Sequence, residues 1–270
     1  MDEWSHCEIA HSWHGRYTGM KFTHPGDSHA HSLQVLNQLY EYDDFMASIR
    51  TVLDLGCGSG DDLAWWATRT TRDDVPEPLN IRCTGIDLAA ELALTQKHNN
   101  IFYQSVDFEA NITPTPRGFD VLWCHDSFQY AQHPVATLSN WWHLTSNGGM
   151  LCLTVPQTVR VHRQQFDYQL PSGCYYHHSM VSLIYMLATA GWDCNTGFFL
   201  QTLTEPWIHA VVYKSQIPPM DPKNTSWHQL AELNLLPASA ARSVQAHNYL
   251  RQQDLVVPWL DHSLSTMALK

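Results

Sequence analysis

Residues 51–66 read TVLDLGCGSGDDLAWW. Three glycines in five positions, Gly56, Gly58 and Gly60, follow an apolar run and precede two aspartates. A backbone this bare lets a ligand approach without Cβ clashes and turns through positive φ at little steric cost. The ligand could be a dinucleotide, a phosphate or a phosphate-free nucleoside, or the loop could be a tight turn that holds nothing. A dinucleotide loop asks for G-x-G-x-x-G, and here that frame runs Gly56-Cys57-Gly58-Ser59-Gly60-Asp61, with an aspartate in the third glycine's place. Asp61 and Asp62 stand at the helix start, where a pyrophosphate would otherwise sit, and their charge repels it. No Gly-Lys-Ser/Thr follows, which excludes a P-loop. A cationic, phosphate-free nucleoside suits the loop better.

The elements that must position this loop alternate regularly. TVLDL (51–55) is a strand and 61–69 a helix, with acids in its first turn and Arg69 at its end. TTRDDVPEPLN (70–80) is a polar loop. IRCTGID (81–87) is a strand, 89–100 has helical composition, and IFYQSV (101–106) and FDVLWC (119–124) are strands. His133-Pro134 opens a helix to about Leu144, which Asn147-Gly148-Gly149 stops. Strand MLCLTV (150–155) and helix 176–190 follow, the helix stopped by Gly191. Strands 198–203 and 207–213 are separated only by Thr204-Glu205-Pro206, which makes them antiparallel. The pattern predicts an α/β fold: a doubly wound, mainly parallel sheet of seven strands, the last one antiparallel. An N-terminal segment (1–49) is expected as a lid, 50–214 as the main domain, and 215–270 as a Pro-rich linker with a helical extension over 227–254. Leu33, Val35, Leu36 and Leu39 lie near helical spacing and read as packing.

Composition narrows the class. The chain has 270 residues, 44% of them hydrophobic and 15% charged, enough to bury a sizeable core. The net charge of −11 argues against gripping nucleic acid through its phosphates. Seven cysteines, an odd number with no CxxC, read as reduced thiols of a cytoplasmic protein. The N-terminus has no basic head followed by an apolar block, and no apolar run nears the roughly 20 residues that span a bilayer. The 17 histidines cluster tightly only at His29/His31 and His177/His178, neither with a zinc-site spacing, so no metal is expected.

Asp54-Leu55-Gly56-Cys57-Gly58-Ser59-Gly60 resembles the D/E-x-G-x-G-x-G loop of the class I S-adenosylmethionine-dependent methyltransferases, and the resemblance extends over residues 50–213. It implies S-adenosyl-L-methionine as cofactor. Gly85-Ile86-Asp87-Leu88 is similar to the second-strand acid that binds the ribose hydroxyls, at a longer spacing from Gly60 because of loop 70–80. Ser105-Val106-Asp107-Phe108 is similar to the stretch whose Asp meets the adenine amino group and whose next residue flanks the ring. Phe119 to His125 resembles the fourth strand, at whose end, near Cys124, the methyl donor faces its acceptor. Asn147-Gly148-Gly149-Met150 resembles the x-G-G before the fifth strand. Asp54 is expected to bond the loop amides or, through water, the ligand's ammonium. The segment WHGRYTGMKFTH (13–24) resembles a cofactor lid, with Arg16 or Tyr17 as a partner for the methionine carboxylate.

Methyl transfer from a sulfonium draws on proximity and alignment for about 7–11 kcal/mol in favourable cases. A hydroxyl or ammonium acceptor needs a base as well. CHDSFQYAQHP (124–134) supplies the candidates His125, Asp126 and His133. LPSGCYYHH (170–178) places Tyr175, Tyr176, His177 and His178 as a polar, aromatic wall for the acceptor. No [DNS]-P-P-[YFW] motif follows the fourth strand and no Pro-Cys pair occurs. With the acidic charge, this favours an O or N atom of a small-molecule acceptor. The alternatives are a nucleic-acid or protein methyltransferase, or a methyltransferase-like scaffold without turnover. The helical 227–254 segment offers a surface for a homodimer.

Overall fold

The computed structural model describes residues 43–71, 75–88, 98–110, 112, 117–156, 161–162, 165–166, 175–176, 178–201 and 207–247. The chain divides into two compact units, Met1–Ala110 and Asn111–Lys270.

In the first unit a short helix α1 (Asp43–Ser48) leads into β1 (Thr51–Leu55). Helix α2 (Asp61–Ala67), β2 (Arg82–Asp87) and β3 (Ile101–Ser105) follow. β1 and β3 flank β2 in parallel, pairing Asp54 with Gly85, Leu55 with Ile86, and Asp87 with Ser105. The carboxyl ends of all three strands therefore lie together, where ligands bind in such sheets. Val52, Leu53 and Leu55 are fully buried, as expected of a parallel strand covered on both faces. The two adjacent tryptophans divide their work. Trp66 is in the core, whereas Trp65 is half-buried with the Arg69 guanidinium 3.9 Å over its ring. Helix α2 ends at Ala67 and not at Arg69, because the Thr68 hydroxyl and Arg69 Nε donate back to the carbonyls of Ala64 and Trp65.

The second unit holds β4 (Phe119–His125), a single 3₁₀ turn at Phe128–Tyr130, α3 (Pro134–Leu144), β5 (Thr145–Pro156), α4 (Met180–Thr189), β6 (Trp192–Gln201), β7 (Trp207–Lys214), α5 (Trp227–Glu232) and α6 (Ala238–His247). A two-residue ribbon pairs Val161–His162 with Gln165–Phe166. In the first unit the strands are ordered β3-β2-β1, and in the second β4-β5-β7-β6. β4 and β5 are parallel, and β7 runs antiparallel to both β5 and β6, so the last strand in the chain is the reversed one.

The larger departures from the sequence-based expectation fall in the second unit. β5 begins at Thr145, not Met150. Asn147-Gly148-Gly149 sits inside it, where the β4–β5 register shifts after the Phe119–Thr145 pair. A Cβ on Gly149 would lie 2.9 Å from the Asp120 carbonyl oxygen, so a glycine is what lets the strands close there. β6 starts at Trp192, ahead of a bulge in which the Asp193 carboxylate accepts from the N–H groups of Asn195 and Thr196. α4 starts at Met180, not Tyr176, because Ser179 and Ser182 form a reciprocal capping box. The C-terminal helix is two helices within the described residues, since Asn234 adopts φ 58° and terminates α5.

The Ser179 cap fixes where α4 begins, directly after His178. Ser179→Ala is expected to lower unfolding stability by about 1 kcal/mol in urea denaturation, with the m-value unchanged.

Candidate active site

The glycine loop is built from the strand ends upward. The Ile86 carbonyl accepts the N–H groups of both Gly56 (2.8 Å) and Cys57 (3.0 Å), so the chain leaves β1 while still tied to β2. Gly56, Gly58 and Gly60 have φ values of 85°, 49° and 82°, a run of left-handed turns that residues with a Cβ adopt only with strain. Gly60 caps α2 with no side chain, and its N–H returns to the Cys57 carbonyl at 2.8 Å. A Cβ on Gly60 would collide with the Tyr103 hydroxyl. That hydroxyl is buried with no hydrogen-bond partner, and burial beside Cys57 and Asp54 pushes its pKa up to about 12. It is a neutral donor held directly beneath the loop.

Carboxylates converge on the same point. Asp54, at the end of β1, is 3% exposed. Its pKa is raised well above the ordinary carboxylate value, first by burial and then by the charges of Asp62 and Asp87. Asp87, at the end of β2, accepts the Gly58 N–H through Oδ2 at 3.1 Å. Asp62 is buried in the first turn of α2. Like charges gathered around a bare backbone destabilise one another, and a cation placed among them would relieve that repulsion. This donor set fits the sulfonium and ammonium groups of S-adenosylmethionine and opposes a diphosphate.

The remaining expected cofactor contacts are spread along the strand ends. The Leu88 carbonyl accepts from the Ser105 hydroxyl at 3.0 Å, linking the ends of β2 and β3. Asp107 is half-buried, and its Oδ1 accepts the Glu109 N–H at 2.9 Å, an Asx turn that orients the carboxylate. Phe108 beside it is half-buried. Cys57 is buried under the loop, its Sγ close against Gly85, and burial raises its pKa. Arg16 and Tyr17 lie outside the described residues.

In the second unit, Cys124 is fully buried near the end of β4. His125 follows, half-buried between the rings of Trp123 (6.5 Å) and Trp207 (6.2 Å). Asp126 adopts φ 52°. Its N–H donates to the Thr154 carbonyl at 3.0 Å, which fastens it to β5. Gln129 Nε2 donates to Asp126 Oδ1 at 2.7 Å and to the Asp126 carbonyl at 3.0 Å. Burial raises the Asp126 pKa to about 6 against the downward pull of that hydrogen bond. His133 is exposed at the start of α3, where its backbone carbonyl accepts both the N–H and the hydroxyl of Thr137.

Tyr175 and Tyr176 are exposed, and both N–H groups point at the Gln129 carbonyl, at 3.1 and 3.4 Å. The Tyr176 hydroxyl donates to the Gln132 carbonyl. His178 is buried and stacks on Phe128 at 5.2 Å. His177 lies outside the described residues. Asp126, Tyr175 and Tyr176 are thus brought together by Gln129, which sequence reasoning missed. Its position three residues after Asp126, one turn along, was the available signal.

Comparisons with known proteins bear on the first unit and the start of the second. Residues 53–151 match a family model described as a methyltransferase domain. Over 108 residues the chain is 30% identical to the ubiquinone biosynthesis O-methyltransferase of Nitrosomonas europaea, a match that spans 38% of this chain and 42% of that one. Two solved structures share the fold. One is from the complex between the Haloferax volcanii Trm112 methyltransferase activator and its methyltransferase, at TM-score 0.53 and 16% identity over 78% of this chain and 97% of that one. The other is the Burkholderia thailandensis 1,6-didemethyltoxoflavin-N1-methyltransferase, at TM-score 0.51 and 13% identity over 78% and 85%. The family match thus covers about a third of the chain, and the two solved structures share its fold. S-adenosylmethionine is the cofactor that the match to a methyltransferase domain supports for the glycine loop.

Two outcomes are expected at this loop. Gly60→Ala meets both an unfavourable φ and the Tyr103 ring, and Asp87→Ala removes a loop anchor. Each should weaken S-adenosylmethionine binding at least tenfold by calorimetry. Asp54 is harder to ionise in the folded chain than its ordinary 3.8. Its contribution to stability is therefore fully present below that value and is lost as pH rises through the raised one. Asp54→Asn should accordingly stabilise the ligand-free protein at pH 7 and flatten the fall of melting temperature with rising pH.

Proposed function

We propose that this chain is an enzyme that transfers a methyl group from S-adenosylmethionine to an O or N atom of a small-molecule acceptor. The observation that carries this reading is the set of converging carboxylates, Asp54, Asp62 and Asp87, around a glycine run with three positive φ values. When bound, S-adenosylmethionine supplies an electrophilic methyl group on a sulfonium. The glycine loop admits the methionine portion against its backbone. Asp87 accepts from the ribose hydroxyls, and Asp107 has Oδ2 for the adenine amino group while Phe108 flanks the ring. Asp54 holds negative charge for the ligand's cationic end.

In the second unit, Asp126 acts as the base. A carboxylate with a pKa near 6 is ionised at neutral pH and holds a proton more tightly than an ordinary aspartate. It takes the proton that the acceptor's hydroxyl or ammonium must lose. His125, set between two tryptophan rings, contacts the acceptor. Tyr175 and Tyr176 form its exposed wall, with His178 packed behind on Phe128. His133, exposed at a helix start, serves that helix. The small-molecule reading draws support from the excess of 26 acidic over 15 basic residues, and the O-acceptor reading from the curated relative's own activity.

The test is a screen of small-molecule pools for release of S-adenosylhomocysteine, with mass spectrometry of the product. A methylated small molecule is expected. Turnover only on nucleic acid or protein would replace the acceptor class, and no turnover despite cofactor binding would leave a binding scaffold.

Asp126→Asn sharpens the test, because asparagine tolerates the positive φ and lacks only the charge. Turnover should fall about 10²–10⁴-fold. The folded-state pKa lies above the unfolded one, so ionised Asp126 opposes folding from about pH 4 upward, fully above about 6. Asp126→Asn should therefore match the native protein's stability at pH 4 and exceed it by up to about 3 kcal/mol at pH 7.5 in urea denaturation.

A further inference from the structure

Gln129 is 1% exposed, and its amide is asymmetrically used. Nε2 serves two acceptors of the same residue, Asp126 Oδ1 and the Asp126 carbonyl. Oε1 is buried with no hydrogen-bond partner. Flipping the amide would turn Oε1 toward two oxygens and repel both, so the orientation is set. An orphaned buried acceptor costs about 1–3 kcal/mol, which an apolar side chain of the same size would not incur. The backbone of the same residue carries a second duty, since its carbonyl takes the N–H groups of Tyr175 and Tyr176.

We propose that Gln129 is the positioning residue of the acceptor site, its amide aiming the Asp126 carboxylate and its carbonyl tying the Tyr175–Tyr176 wall to the same point. The role rests on the reading of Asp126 as the base. Asp126 sits in a left-handed backbone conformation on a loop, and its own backbone N–H is spent on Thr154. Among the described residues, the Gln129 amide is what bonds its side chain. Without that bond the half-buried carboxylate would lose its orientation and would ionise only at higher pH. The titratable groups on the surrounding elements are His125 at the end of β4, His133 at the start of α3, Tyr175, Tyr176 and His178 before α4, and His209 on β7. None of them sets the ionisation of Asp126, which burial and Gln129 govern.

Two experiments separate this role from mere packing. In the first, stability in urea is measured from pH 4 to 8 for the native chain and Asp126→Asn, alone and with Gln129→Leu. The pH at which the two Asp126 forms diverge is expected to rise by about one unit when Gln129 is leucine. An unchanged divergence pH would overturn the proposal. Gln129→Met, unbranched like glutamine and lacking the amide, carries the same comparison if the leucine variant does not fold. In the second, the acidic limb of kcat/KM for an acceptor found by the release screen should shift upward by a similar amount. There kcat should fall about tenfold with S-adenosylmethionine affinity unchanged. The stability measurement needs no turnover. Failure of the methyl-transfer reading would appear as absent cofactor binding or product, and failure of the Gln129 role as an unmoved divergence pH.

Discussion

The Ile86 carbonyl takes two N–H groups, from Gly56 and Cys57, and the first unit is organised around that junction. By holding the chain to the end of β2 just as it leaves β1, the junction forces the next residues to turn back sharply. Three glycines make that turn in left-handed conformations. The turn delivers Asp61 and Asp62 into the first turn of α2, where the helix dipole favours negative charge. It also sets Gly58 against Asp87 and Gly60 against Tyr103. At Gly60 the close approach of Tyr103 leaves no room for a side chain, and the backbone becomes the lining there.

The arrangement carries an electrostatic burden. Asp54 is buried between the charges of Asp62 and Asp87, which holds its carboxyl well above the usual range. Such a site is unstable toward itself and receptive to positive charge. A methionine-derived sulfonium answers that demand, and a diphosphate deepens it. The charge pattern therefore discriminates among ligands that a glycine-rich loop alone would admit equally.

The second unit uses a different device. A half-buried carboxylate is placed after β4 by a backbone bond to β5, and one glutamine bonds both its side chain and the tyrosine segment beside it. The strained φ of Asp126 and the orphaned oxygen of Gln129 are both unfavourable for the fold. Local costs of this kind collect where geometry serves a ligand more than stability.

The sequence by itself determined the alternation of strands and helices, the reversed last strand, the glycine loop and the acids at the ends of β1 and β2. These follow from local chemistry: apolar runs, glycines, and an acid closing each strand. Its limits lay where an outcome depends on contacts between distant residues. Asn147-Gly148-Gly149 reads as a helix stop but lies within β5, because the strand pairs with β4 on both sides of it. Trp65 and Trp66 are alike in sequence, yet only Trp66 enters the core. Asp126 was legible as a candidate base, but its burial, its left-handed backbone and its dependence on Gln129 were not. Those came only from the tertiary structure, because desolvation and hydrogen-bond geometry are set by what packs around a residue.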